Sequence, residues 1–182
     1  MNVCGIDPGT QRIGIVQLVG DDLRLHVVHG KVPPRKSKKN PHPTKLNPLY
    51  EMDLSAHRVV DSLTTSLIAV IGIESAAISA NGRQDALAGC RQAIFTRLAM
   101  RVGAPIAAKM VIPITPGTAK KALTDYNGSD KKRMVQAARD WIRTNHPGKL
   151  AEWDTYGDKD REALADALGV MLAIMRVTHE AT

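Results

Sequence analysis

Two short apolar runs, Asn2–Asp7 and Ala69–Glu74, each end in a carboxylate, and that pairing constrains the fold more than any other feature of the chain. Both read as buried strands, with Val3, Cys4 and Ile6 in the first and Val70, Ile71 and Ile73 in the second. Pro8-Gly9-Thr10 forms a tight turn after one, and Glu74-Ser75 closes the other. A buried, unpaired carboxylate is costly. Acids placed there converge on the carboxyl edge of a sheet, the side on which α/β proteins bind ligands.

The remaining pattern fills in that sheet. Arg12–Leu18 is β-rich, Gly20-Asp21-Asp22 reads as a hairpin turn, and Leu23–Val32 as a third strand. Pro33 to Pro48 carries five prolines among lysines, so it is neither a helix nor a central strand but a long basic loop. Leu54, His57, Val59, Val60, Leu63, Leu67 and Ile68 form a helical stripe. Gln84–Val102 reads as a helix with Leu87, Cys90, Ile94 and Leu98 inward, and Ala104–Ile114 as a strand. Thr115 or Thr118 begins a short helix, and Asn127-Gly128 is a turn. Ser129 or Asp130 caps a helix that runs to about Thr144 and stops at His146-Pro147-Gly148. A last helix spans Asp158–Val177, with Leu164, Leu168, Met171, Leu172 and Met175 on its apolar face. The order β-β-β-α-β-α-β-α-α implies an α/β domain over residues 1–182: a mixed five-stranded sheet flanked by helices, with a basic loop at about 33–48.

Charge narrows the partners. The net charge of +7 favours a polyanion. Six Lys/Arg and no acid lie between Lys31 and Lys45, and ten Lys/Arg against three acids between Arg101 and Lys149. From Leu150 onward seven acids face three bases. One Phe, two Trp and three Tyr are few for an aromatic base-stacking platform, so grip on a phosphate backbone is favoured. No apolar run is long enough to span a bilayer. Asp7-Pro8-Gly9 interrupts any signal-peptide core, so the expectation is a cytoplasmic protein with no membrane partner. Cys4 and Cys90 belong to no metal-binding spacing and read as reduced core thiols.

A third acid completes the set. Asp166 sits inside the last helix between Ala165 and Ala167, and Glu162, four residues earlier, shares its face. Carboxylates gathered in one cleft repel each other and persist when a divalent cation neutralises them. Hard oxygen ligands select Mg2+ or Mn2+, and a pair of such ions hydrolyses phosphodiesters. No small-molecule cofactor is called for.

These segments also resemble a known family. Gly5-Ile6-Asp7-Pro8-Gly9-Thr10, followed by Gly14, looks like the first motif of the RuvC Holliday-junction resolvases, and Ile73-Glu74-Ser75 resembles the second. Lys120-Lys121 and Gly128-Ser129-Asp130-Lys131-Lys132 resemble the basic third region, and Ala165-Asp166-Ala167-Leu168 the last motif. The similarity runs in order along nearly the whole chain, and the Pro/Lys loop points to a phage-type relative. It implies an RNase H-like fold and a homodimer that nicks four-way or branched DNA symmetrically. It also implies two Mg2+ ions on Asp7, Glu74 and Asp166. The family's usual fourth acid falls at Ala163, with Glu162 as the nearest substitute. Lys121 and Lys132 map best to the family's site lysines, and Lys120 and Lys131 lie one place off. Arg35, Lys36, Lys38 and Lys39 are expected to grip a duplex arm. Ile78 takes the place of the family's junction-opening aromatic. The Gln84–Val102 helix, with Arg91, Arg97 and Arg101, is the expected dimer interface.

Two alternatives stay open. Gly9–Gly14 also resembles the opening of the YqgF group of RNA-processing nucleases. Ala163 leaves room for a non-catalytic junction-binding protein.

Overall fold

A computed structural model describes residues 2–9, 11–30, 48–63, 67–75 and 83–180. The expected loop at 33–48, with Arg35, Lys36, Lys38 and Lys39, lies outside the described residues apart from Pro48, and so does Ile78. The five strands are β1 (Val3–Asp7), β2 (Arg12–Val19), β3 (Asp22–His29), β4 (Val70–Glu74) and β5 (Val111–Ile114). They form one sheet in the order β3-β2-β1-β4-β5. The opening three strands make an antiparallel meander, whereas β4 and β5 run parallel to β1. Ile6 stands opposite Ile73, so Asp7 and Glu74 follow side by side at the same edge.

Strand alternation sorts side chains to two faces. Cys4, Ile6, Ile13, Ile15, Ile71 and Ile73 point into a core under α1 (Pro48–Ser62), α2 (Arg83–Val102) and α3 (Ala104–Met110). Val3 and Val16 point the other way, into a core built with α4 (Pro116–Thr124), α5 (Lys131–Asn145), α6 (Leu150–Thr155) and α7 (Asp158–Glu180). Both cysteines are buried and unbonded, as expected.

Three elements depart from the sequence reading. Ala104–Ile114 is not one strand: Gly103, at φ 91°, ends α2, and Pro105 fits the first turn of a new helix. Ala107 and Met110, three residues apart, bury one face of that helix, so only Val111–Ile114 remains extended. The stripe from Leu54 stays helical only to Ser62, and Leu67 is solvent-exposed. Finally, α6 was not anticipated; it seats Trp153, which is fully buried, against the second core.

The close seating of α7 on the sheet rests on glycine. A Cβ on Gly5 would lie 2.1 Å from the Ala167 carbonyl oxygen, and one on Gly14 2.1 Å from that of Ala163. Only hydrogen fits, so the helix backbone touches the strands directly, and Asp166 is carried to the level of Asp7. Gly5→Ala should therefore destabilise the fold by about 1–3 kcal/mol through overpacking. That corresponds to a Tm loss of roughly 3–10 °C for a chain of this size. An unchanged thermal melt would refute the contact.

Candidate active site

Asp7 ends β1 on the face that Val3 and Gly5 turn toward α7. Glu74 ends the neighbouring β4 on the same face. Asp166 is the one charged side chain in the buried stretch Ala163–Met171 of α7 and is itself 8% exposed. Three elements thus deliver three carboxylates to one edge.

Their charges act on one another. Burial pushes the Asp7 carboxyl well above the ordinary range, and the charges of Asp166 and Glu74 push it further, against the pull of Lys131. Burial raises Glu74 to about 7, helped by Asp166 and opposed by Lys131, Lys120 and Arg91. Carboxylates so disfavoured as anions mark a place that wants positive charge.

That charge comes first from Lys131. Its Nζ contacts Asp166 Oδ2. Partial burial opposes its charge, but Asp166, Asp7 and Glu162 outweigh that and raise its pKa. Of the two lysine pairs, the structure thus brings Lys131 to Asp166 and places Lys120 where its charge reaches Glu74. Lys121 and Lys132 are exposed, and Lys131 and Lys132 both stand on the wall of an open cleft of about 810 Å³ between α5 and α7, so what sets Lys131 apart is its contact with Asp166. A signal for Lys131 was present in the sequence. The buried stripe of α5 is Met134, Ala138 and Ile142, and one turn back it meets Lys131.

The acids that precede Asp166 have other partners. Asp158 pairs with Arg161 at 2.9 Å, and Asp160 with Arg12 at 2.9 Å. Glu162 holds Lys159 at 2.8 and 3.0 Å, while its charge is also felt by Lys131. Ala163 is buried, with its carbonyl against Gly14.

Two further residues reach the site that sequence reasoning did not place there. The Cys90 thiol lies 4.0 Å from the Gly9 carbonyl oxygen. Burial and then the charge of Asp7 raise its pKa to about 11, so it is an inert thiol. Arg91 acts on Glu74 from α2. Among the described residues it has no hydrogen-bond or ion-pair partner, whereas Arg97 and Arg101 are engaged with Asp53 and with Asp61 on α1.

Among the described residues no three His, Cys, Asp or Glu side chains converge closely enough to grip one metal ion. The donors fit a hard divalent cation nonetheless: Asp7, Glu74 and Asp166 are all oxygen ligands within electrostatic reach of each other, and their mutual repulsion is what such an ion relieves.

The elevated Glu74 makes a pH prediction. In the unfolded chain this group titrates near 4.5, and in the folded protein at about 7. The native state then binds more protons between those values, so its stability falls as pH rises through that window. In the metal-free protein Glu74→Gln should melt like wild type at pH 4, below the unfolded value, and at a higher temperature at pH 8. An equal difference at pH 4 and pH 8 would show that Glu74 is not raised.

No family model matches the sequence, and no curated protein matches it. Solved structures do match. One is T. thermophilus RuvC in complex with a Holliday junction substrate, at 18% identity and a TM-score of 0.62, covering 100% of this chain and 97% of that one. Another Thermus thermophilus RuvC structure matches at 19% identity and a TM-score of 0.58, covering 100% and 98%. The described residues therefore have the RNase H-like fold seen in RuvC.

Proposed function

We propose that this protein is a structure-selective endodeoxyribonuclease that resolves Holliday junctions and related branched DNA. The observation that carries the reading is the meeting of Asp7, Glu74 and Asp166 at one sheet edge, with Lys131 on Asp166. Asp7, Glu74 and Asp166 would hold Mg2+, with Glu162, one helical turn from Asp166, as the fourth carboxylate. When bound, such ions activate water for attack on a phosphodiester and stabilise the leaving oxygen. Lys131 and Lys120 present ammonium groups to the phosphate, and Lys132 and Lys121 extend the basic surface beside them. The protein acts as a dimer, because two symmetric cuts call for two sites related by a two-fold axis. The outer faces of α2 and α3, where Met100 is 75% and Ile106 53% exposed, are the surface we assign to that pairing.

The decisive assay is a synthetic four-way junction incubated with and without Mg2+, beside three-way and linear duplexes. Magnesium-dependent, paired nicks in the branched substrates are expected. Binding without cutting would make the chain a junction-binding protein instead. Because phosphate contacts supply the affinity, binding should weaken by about 10³-fold or more between 50 and 200 mM salt. A flat salt profile would contradict the basic surface.

A further inference from the structure

A cavity of about 360 Å³ opens on the α2 face of the sheet, around the edge from Glu74. Ile73, Phe95, Val111 and Pro113 supply apolar walls, and Ser75, Arg91 and Gln92 supply polar groups. Phe95 is the only phenylalanine in the chain, and it is half-buried here. The Gln92 amide nitrogen reaches Thr96 Oγ1 at 3.4 Å, and its oxygen has no partner among the described residues. Arg91 lines this cavity and its charge also acts on Glu74 and on Cys90; among the described residues it has no hydrogen-bond or ion-pair partner.

The cations therefore flank the acids on both faces of the sheet. Lys131 and Lys120 approach from the α7 side and Arg91 from the α2 side. A strand with one phosphate at the acids would carry the neighbouring phosphate toward Arg91, which lines this cavity and whose charge reaches Glu74, and a guanidinium suits a phosphate oxygen pair. The cavity beyond is at the small end of the roughly 300–1,000 Å³ typical of ligand sites, a volume on the scale of a single nucleotide and not of a duplex. An aromatic wall, aliphatic walls and one free amide oxygen match the flat face and the polar edge of a nucleobase. A purely apolar partner would leave Arg91, Gln92 and Ser75 unmatched.

We propose that this cavity is a nucleotide subsite: Arg91 binds the phosphate that flanks the cut, and the slot along Phe95 receives the unpaired base of that nucleotide. The inference rests on the nuclease reading for the direction of the strand, but it makes its own claim about Arg91, Gln92 and Phe95.

The test is a binding cycle by fluorescence anisotropy on the Asp7→Asn protein in Mg2+. It uses a four-way junction and a short single strand, each with an abasic site stepped through the three nucleotides around the crossover or the centre. Loss of the right base should weaken binding about tenfold. With Phe95→Leu added, intact and abasic DNA should bind alike, and Arg91→Gln should weaken both equally. Circular dichroism and thermal melts confirm that each variant is folded. Junction binding with no abasic position that depends on Phe95 overturns the subsite and leaves the resolvase reading intact. A Phe95-dependent penalty on the single strand, with no preference for the junction, keeps the subsite and sinks the resolvase reading. If neither DNA binds, both fall.

Discussion

Asp7→Asn should reduce junction cleavage by at least about 10³-fold, the scale on which loss of a central electrostatic group acts in enzymes, while junction binding is retained. The two halves of the expectation have different causes. Cleavage is expected to need the carboxylate, because Asp7 feels the charges of both Glu74 and Asp166 and belongs to the same acid cluster. Binding draws on Lys and Arg contacts with phosphate, which the substitution does not touch. The same change should raise the Tm of the metal-free protein by roughly 2–4 °C, the effect of about 1 kcal/mol in a chain of this length. Burial and repulsion already disfavour the Asp7 anion, and an amide removes the charge while keeping the shape. A variant that still cuts in magnesium removes Asp7 from the chemistry. One that is inactive and also less stable would mean that Asp7 holds the fold together.

Lys131→Met should lower cleavage by about 10²-fold, whereas Lys132→Met should change it by no more than about threefold, as expected of an exposed surface charge. The contrast follows from one turn of helix. Both lysines line the outer cleft, but Lys131, one turn back from Met134, reaches Asp166, and Lys132 makes no such contact among the described residues. A second readout separates a chemical role from a structural one. Without Lys131 the metal-free protein loses the cation that offsets Asp166, so its Tm should fall. Added Mg2+ should then raise the Tm by more than it does in wild type, because the ion restores positive charge to the same acids. Equal activity for the two lysine variants would return the assignment to the pairing that motif spacing favours, Lys121 with Lys132.

Much of this site was legible from local pattern. Asp7 and Glu74 are visible because each ends an apolar run, and Asp166 because it interrupts an apolar helix face between alanines. The sheet order follows from a meander that precedes alternating strands and helices. What stayed hidden depends on how elements turn against each other. Whether Lys131 or Lys132 faces the acids is set by the rotation of α5 on α7, and motif spacing carries no information about rotation. The helix pattern offers Arg91, with Arg97 and Arg101, for a dimer interface; that its charge also reaches Glu74 is a product of the fold. The strand expected over Ala104–Ile114 failed for a local reason. Gly103 and Pro105 punctuate the chain there, and the alanines between them and Met110, apolar enough to extend a strand pattern, favour helix.

The contact between Gly5 and the Ala167 carbonyl has a further consequence for engineering. The gauge between Asp7 and Asp166 is set by main chain resting on main chain, with no side chain interposed that selection or design can lengthen by a carbon. A second-site substitution that strengthens the cores can offset the lost stability of a Gly5→Ala protein and return its Tm to the original value. It cannot return α7 to its former height above the sheet. Such a doubly substituted protein should be folded, robust and still slow, so that thermal tolerance and catalytic rate come apart at this one position.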